Sequence, residues 1–234
     1  MRLHLPARVP GVIFMLFIVS ACQTATLKTT NVFEPVPNAR VLLMQPDVQL
    51  SEVQASGMLE PKAEWTAKAE RHIGAALDRM MAEKNLDLVR YSLPADPAQA
   101  ATHGRLVHLH GAVGSAIRVH KYVQPMALPT KKDTFDWSLG PGVAALREAQ
   151  DADYALFIYV RDSYTSPGRV AVIVAAAILG AGVQGGSQEG FASLVDLQNG
   201  EIVWFNWIGG AGTDLRKPDT AGEMLEKLLA EFPV

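Results

Sequence analysis

The sequence contains a single cysteine among 234 residues, and this scarcity limits its chemistry. One cysteine cannot form an intramolecular disulfide, so the fold must be held together by its core alone. Positive charge is not in excess either, because 21 Lys and Arg stand against 24 Asp and Glu, for a formal net charge of −3. A mildly acidic chain without basic clusters indicates that nucleic acid is not a partner.

The N-terminus lacks a hydrophobic run long enough to span a membrane. The apolar stretch Val12–Val19 follows Pro10 and Gly11, and Arg2 and Arg8 precede it. Positive charge followed by a short apolar run is typical of an export signal. A membrane-spanning helix needs roughly 20 apolar residues. The segment is therefore predicted to direct export.

Cys22 ends the run Val19-Ser20-Ala21-Cys22, which matches the bacterial lipobox. Small residues before the cysteine let a signal peptidase bind, and the thiol receives a diacylglycerol. We predict cleavage between Ala21 and Cys22, and a palmitate-bearing lipid anchor on Cys22 that holds the chain permanently. The alternatives are an ordinary secretory signal and a short membrane anchor. Gln23, where an aspartate would indicate retention at the inner membrane, favours the outer membrane.

The predicted organisation has three parts. Residues 1–21 form the signal peptide, residues 22–39 a flexible tether, and residues 40–234 one periplasmic domain. The tether is predicted because this segment contains Thr and Pro and shows no hydrophobic periodicity.

Apolar periodicity predicts alternating helices and strands along the domain. Strands are expected over residues 40–44, 86–91, 153–160, 191–197 and 201–207, and helices over residues 61–85, 96–123, 143–150 and from Thr220, its expected N-cap. The last two strands flank Asn199-Gly200, which predicts a hairpin. The order predicts an α/β or α+β fold: a single domain with a mixed sheet of about five strands flanked by helices.

Four histidines lie close together in the second predicted helix: His103, His108, His110 and His120. A zinc site needs three or four ligands that converge, and helical side chains meet at spacings of three or four residues. None of these pairs has that spacing. We therefore expect surface or half-buried histidines and no metal.

Two further patterns bear on catalysis. Gly180–Gly185 matches G-x-G-x-x-G, but a dinucleotide loop needs a strand before it and a helix opening within it, so a glycine connector without cofactor is predicted.

Charged residues bracket the predicted strand over 153–160: Asp151, Asp153, Asp162 and Arg161. Paired acids can perform acid–base chemistry, but acids at strand ends are commonly solvated. No nucleophile elbow is present, and the lipidated cysteine cannot serve as a nucleophile. No catalytic residue is assigned.

The segment Val170–Val183 contains no charged residue. It is too short to span a bilayer unaided, and it lacks the alternation of a strand lining a membrane pore. The main prediction is a buried strand or a small-residue helix packed under the sheet; the alternative is a segment for self-association or membrane docking.

Trp204 and Trp207 should lie on opposite faces of their strand, so at least one is expected in the core. The candidate interaction residues are Val170, Ile173, Ile178, Leu179, Trp204 and Trp207.

The stretch LPTKKDTFDWSLGPGVAALREAQDADYALFIYVRDSY, followed by FASLVDLQNGEIVWFN and GTDLR, resembles a group of proteobacterial outer-membrane lipoproteins of uncharacterised function. More loosely, Ala152-Asp153 at a strand start and the hairpin with Asp196 and Gly200-Glu201-Ile202 are similar to the TolB amino-terminal domain and the curli-secretion lipoprotein, although Asn199 stands where those proteins have threonine. The looser resemblance implies a related fold and raises a role in secretion.

Together these features predict an outer-membrane lipoprotein that faces the periplasm and has a non-enzymatic accessory, binding or assembly role in the cell envelope. Its expected partners are the membrane, through the lipid on Cys22, and an envelope protein, with homo-oligomerisation left open. Two alternatives remain at this point. One is a subunit of an oligomeric outer-membrane secretion channel, and the other is an envelope hydrolase that uses Asp153 or Asp162.

Overall fold

The computed structural model describes residues 26–31, 33, 38–83, 88–131, 134–210 and 212–233. The predicted signal peptide lies outside the described residues, as does the predicted lipidation site at Cys22 with its neighbour Ala21. Side chains are described throughout this range except at residues 26–29, 31 and 124.

Eight strands and five α-helices occur within these residues. The strands are β1 (Thr26–Asn31), β2 (Val41–Leu43), β3 (Asp47–Val53), β4 (Leu59–Pro61), β5 (Leu88–Arg90), β6 (Tyr154–Thr165), β7 (Gln188–Asp196) and β8 (Ile202–Gly210). The helices are α1 (Ala63–Glu83), α2 (Pro97–Tyr122), α3 (Ala144–Gln150), α4 (Pro167–Ile178) and α5 (Pro218–Leu228). Three short 3₁₀ turns lie between α2 and α3: Gln124–Met126, Pro129–Lys131 and Pro141–Val143.

All described strands belong to one mixed sheet, in the order β1-β8-β7-β6-β2-β5. The 12-residue strand β6 is its centre. On one side, the first part of β6 pairs in parallel with β2, and its second part pairs in parallel with β3, which carries β4 at its outer edge. On the other side, β7, β8 and β1 follow in antiparallel order. The predicted hairpin of β7 and β8 is confirmed.

Helices cover both faces of the sheet, which explains why β6 is apolar on both faces. Leu156 and Ile158 contribute to a core cluster with α1 and α5, whereas Ala155 and Phe157 face the cluster formed with α2 and α3. Parallel strands covered on both faces characteristically show such continuous apolar runs. The predicted fold class, a single α/β domain with a mixed sheet flanked by helices, is confirmed.

The sheet is larger than the sequence indicated. Strands β3 and β4 were not predicted, because β3 follows Pro46 and mixes polar with apolar residues. β1 falls within the segment expected to be a tether, yet all six of its residues pair with β8. Threonine-rich segments favour extended structure, and the open edge of β8 offers them backbone partners.

The start of α5 also differs from expectation. The helix begins at Pro218, with Lys217 at the N-cap position and no side-chain cap. Thr220 is not the N-cap, because it lies within the first turn and its hydroxyl donates to the carbonyl oxygens of Asp214 and Lys217. The predicted inner face is confirmed, since its members are all buried: Ala221, Met224, Leu225, Leu228 and Leu229.

Candidate interaction surface

Helix α4 contains most of the charge-free segment, and local sequence explains both of its ends. Ser166 occupies the N-cap position, where its Oγ accepts a hydrogen bond from the backbone N–H of Arg169 at 3.2 Å, and Pro167 follows at the first helical position. Both residue types favour the start of a helix. The helix ends at Ile178, and Gly180 then takes a φ of +73°, which glycine adopts without strain.

The structure corrects the prediction that this apolar segment packs beneath the sheet. No residue of α4 is buried. Ile178 and the adjoining Leu179 are 80% and 84% exposed, and Val170 and Val174 are about half exposed. The sequence pattern indicated burial because it is apolar, but the helix stands outside both core clusters. Exposed apolar side chains grouped on one helix are typical of a surface that contacts a partner or a membrane.

Only a narrow side of α4 faces the rest of the protein. Arg169, Ile173 and Ala176 are half-buried, at spacings of four and three residues. The Arg169 guanidinium donates to the carbonyl oxygen of Gln184 at 2.8 and 3.0 Å and to that of Ala55 at 3.4 Å. The one charged side chain of α4 is therefore turned inward onto backbone carbonyls, and the outward side carries no charge.

The glycine-rich segment after α4 returns the chain along β6. The N–H of Gly186 donates to Thr165 Oγ1 at 2.8 Å, and the N–H of Ser187 donates to Ser163 Oγ at 2.9 Å. A Cβ at Gly186 would lie 2.1 Å from the carbonyl oxygen of Ser163, so only glycine fits there. The G-x-G-x-x-G match follows a helix and leads into β7, so it serves as a connector, as predicted.

The turn between β3 and β4 adds two exposed apolar side chains at the same end of the sheet. Val53, the last residue of β3, pairs with Thr165, which directly precedes the N-cap of α4. Met58 and Leu59 in and after this turn are both more than half exposed. We refer to the combined patch as the apolar end surface, which comprises Met58, Leu59, Val170, Val174, Ile178 and Leu179.

The chain enters the fold at this same end. Thr26 pairs with Gly209, which pairs with Glu189, which in turn pairs with Arg161. These four residues form one row across the sheet, close to where β6 leads into α4. Cys22 precedes Thr26 by four residues. An extended chain spans at most about 3.6 Å per residue, so a segment of four residues reaches at most about 14 Å.

A buried acid lies in the second half of β6, the strand that leads into α4. Asp162 is 5% exposed, and it accepts hydrogen bonds from the Tyr164 hydroxyl and, at 3.1 Å, from Gln188 Nε2. Burial raises the pKa of Asp162 to about 6, and it also raises the pKa of Tyr164. The Tyr164 hydroxyl accepts the N–H of Leu215 at 2.9 Å. The cluster thus ties the segment before α5 to β6 and β7.

The two acids of the hydrolase alternative do not form a catalytic pair. Asp153 and Asp162 lie at opposite ends of β6, nine residues apart, which corresponds to about 30 Å along a strand. Asp153 accepts the backbone N–H of Arg40 at 3.0 Å and lies 3.8 Å from Arg147. Two carboxylates share acid–base work only when both reach one substrate, and this geometry keeps them apart.

Two of the histidines differ from the prediction of surface or half-buried positions, because His103 and His110 are buried. His110 Nε2 lies 2.9 Å from Ser193 Oγ, and its ring stacks on Phe157 at 4.9 Å between centroids. Burial lowers the pKa of His110 to about 3, so the ring is neutral. Among the described residues, no group of three His, Cys, Asp or Glu is placed to hold a metal ion.

A pocket of about 240 Å³ lies near the carboxyl ends of β2 and β5, between α1 and α2. Its lining includes Asp47, Tyr91, His103 and His108, and the Tyr91 hydroxyl lies 3.1 Å from His103 Nδ1. Ligands of open α/β sheets commonly bind outside the carboxyl ends of parallel strands. No sequence motif marks this pocket, because its lining residues come from separate elements. Asp153 and Asp162 do not line it.

The predicted interaction residues fall into two groups. Ile178 and Leu179 are strongly exposed, whereas Trp204 is fully buried in the core cluster that includes α1 and α5. Trp207 is half-buried on the opposite face and stacks on Tyr122 at 6.3 Å between centroids. The two tryptophans lie on opposite faces, and Trp204 is a core residue. The surface available to a partner is therefore that of α4.

No family model and no curated protein matches this chain. Among solved structures it is similar to the PelC dodecamer from Paraburkholderia phytofirmans, with 14% identity over 88% of this chain and 95% of that chain and a TM-score of 0.40. A variant of that dodecamer gives 15% identity over 87% and 97%, with a TM-score of 0.36. The C-terminal domain of LpoB from Salmonella enterica gives 15% identity over 74% and 83%, with a TM-score of 0.26. Values this low do not assign the chain to a family.

Proposed function

We propose that this protein is an outer-membrane lipoprotein, anchored through acylated Cys22 with its domain in the periplasm, and that it has an accessory, binding or assembly role without catalysis. The observation that carries the proposal is the apolar end surface. Its α4 portion is uncharged on its outward side, and it lies at the sheet end where the chain arrives from Cys22. A protein that acts by contact needs such a surface, whereas an enzyme needs converging polar groups.

Two sequence features support the anchor. The lipobox ends at Cys22, and no other cysteine competes for the lipid. The three residues between Cys22 and Thr26 would hold the domain close to the bilayer, because β1 is paired into the sheet from Thr26 onward. The lipid and the apolar end surface would then face the same membrane.

Metabolic labelling with palmitate, followed by separation of inner and outer membranes, tests the proposal. The native chain is expected to carry label and to fractionate with the outer membrane. Cys22→Ala should lose the label and leave the membrane fraction. Gln23→Asp is the matched control, because it should keep the label while the protein moves to the inner membrane. A native chain without label would refute the lipoprotein assignment.

A secretion-channel subunit remains the second candidate, because a charge-free segment exposed on one end of a domain also suits contact between copies. Size-exclusion chromatography with light scattering of the detergent-extracted lipoprotein distinguishes the two. A closed ring of many copies would support the channel subunit. A monomer or dimer would support the accessory role.

A further inference from the structure

We propose that the apolar end surface docks into the membrane leaflet that holds the Cys22 anchor, with the α4 tip at Ile178 and Leu179 entering the hydrocarbon. This inference rests on the proposed lipid anchor and adds what the exposed helix touches. The partner is the acyl-chain region of a lipid bilayer, a fluid apolar medium with no fixed shape.

Position is the first argument. The chain enters the sheet at Thr26, in the row of residues that also contains Arg161 of β6, and β6 leads directly into α4. Cys22 precedes Thr26 by four residues, so it lies within about 14 Å of this end of the sheet. A lipid on Cys22 therefore holds this end against the bilayer, and the opposite end, with the Asn199-Gly200 turn, points away.

Charge is the second argument. Residues 170–183 contain no charged side chain, and the preceding Arg169 is satisfied by the carbonyl oxygens of Gln184 and Ala55. Moving charged side chains out of water is the main cost of placing a helix in hydrocarbon. The outward side of α4 carries no charge, so its insertion avoids that cost. The backbone groups in the interior of the helix pair with one another, and at its C-terminal end the carbonyl oxygens of Ala176 and Ala177 accept the N–H groups of the three residues that follow the helix.

Shape distinguishes the bilayer from a second copy of the chain. Only the side with Arg169, Ile173 and Ala176 faces the protein, so α4 is a convex ridge that is apolar over the rest of its circumference. A partner protein needs a deep apolar groove to cover such a ridge. Three pockets in the described part of the chain have volumes of only about 240, 290 and 320 Å³, which is too small to take up a whole helix ridge. A fluid lipid layer surrounds a ridge without a preformed groove.

Length sets the depth of insertion. No helix in the described part of the chain is long and apolar enough to cross a bilayer. The 12 residues of α4 extend about 18 Å, against about 30 Å for the hydrocarbon core. Docking in one leaflet matches this length, and the apolar side chains of Met58 and Leu59 would lie at the membrane boundary.

The single native cysteine makes a direct test available. Once Cys22 is acylated, Ile178→Cys provides the only free thiol for an environment-sensitive fluorophore. The matched controls are Leu93→Cys, an apolar site that is 74% exposed, and Gln198→Cys at the opposite end of the sheet. The lipidated full chain is reconstituted on vesicles of phosphatidylethanolamine and phosphatidylglycerol, with or without acyl chains that carry a quencher.

The proposal expects a blue-shifted emission at position 178 and quenching at least threefold stronger than at positions 93 and 198. Equal, weak quenching at all three positions would overturn it. Contact with a second copy would give a different result: a blue shift that depends on protein density, no effect of the quencher, and cross-links between the two residues at position 178. That result would overturn the proposal. Mass spectrometry of Cys22 keeps the two proposals separate, because an unacylated Cys22 refutes the anchor whatever position 178 reports.

Discussion

At the scale of single residues, Asp162 is a carboxyl group that folding removes from water. Tyr164 and Gln188 both donate to its Oδ2 atom, but these hydrogen bonds do not offset the burial that raises its pKa to about 6. In the unfolded chain the carboxyl ionises near its ordinary value of about 3.9. Its contribution to the free energy of unfolding is therefore largest below about pH 4 and declines as the pH rises to about 6.

Asp162→Asn should remove this decline. The asparagine Oδ1 can accept the same two hydrogen bonds and has no charge to bury. Relative to the native chain, the variant is expected to gain on the order of 3 kcal/mol in the free energy of unfolding between pH 4 and pH 7. Urea denaturation at several pH values measures the difference. A difference independent of pH would show that the native carboxyl is not destabilised by burial.

Two glycines in α2 differ in whether packing against the sheet requires them. Helix propensity disfavours glycine at both positions. A Cβ at Gly114 would lie 2.0 Å from Cε2 of Phe191, which is fully buried on β7, whereas a Cβ at Gly104 would meet nothing within 4 Å. The first glycine permits close approach of helix and sheet. The second has no such role in the described structure.

Gly114→Ala and Gly104→Ala are therefore expected to have opposite effects on stability. The first should lower the free energy of unfolding by about 1–3 kcal/mol or more, because it overpacks the core. The second should raise it by up to about 1 kcal/mol, because alanine favours helices. Denaturant unfolding of both variants tests the pair. Two destabilising effects of equal size would contradict the packing argument at Gly114.

At the scale of elements, the sequence predicted those segments whose pattern is local. Helix α1 follows its apolar periodicity, β6 its continuous apolar run, and the β7–β8 hairpin its Asn199-Gly200 turn. Strands β3 and β4 were missed because their pairing with β6 and with each other creates them, and their sequences carry only mixed patterns. The partner of β3 in the central sheet, β6, lies far along the chain, so no local pattern reveals the pairing.

For helix α4, the sequence pattern is local but does not reveal what surrounds the helix. Its residues were identified as candidates because they lack charge, but an apolar segment alone does not reveal whether protein or another medium covers it. Met58 and Leu59 were not identified, since only the tertiary pairing of Val53 with Thr165 brings their turn beside α4. The sequence thus predicted half of the apolar end surface, and the sheet register supplied the rest.

Replacing residues 170–183 with a short Gly-Ser linker should leave the domain folded. Because no α4 residue is buried, the free energy of unfolding should change by no more than about 1 kcal/mol. The ends are easily bridged, since Arg169 contacts Gln184. Leu225→Ala in α5 is the contrasting variant and should cost about 2–5 kcal/mol. Loss of cooperative thermal unfolding in the linker variant would show that the segment contributes to the core after all.

At the scale of the whole molecule, the predicted α/β architecture is confirmed because alternating helices and strands leave few ways to cover both faces of a sheet. Function is less accessible from the sequence, because the candidate surface is defined by exposure rather than by a motif. The lipobox at Cys22 and the row from Thr26 to Arg161 are independent observations, one from sequence and one from strand register. Together they support the proposal that the lipid anchor lies at the α4 end of the sheet.

The pairing of β1 along β8 also determines how the domain withstands a mechanical pull. If Cys22 carries the proposed lipid anchor, tension from it would enter the sheet at Thr26 and act along the axis of β1, because that strand begins at the N-terminal end. The inter-strand hydrogen bonds of β1 are then loaded together in shear, rather than broken one after another as in unzipping. A domain attached in this way can transmit force from the envelope into its central sheet without peeling from its first strand.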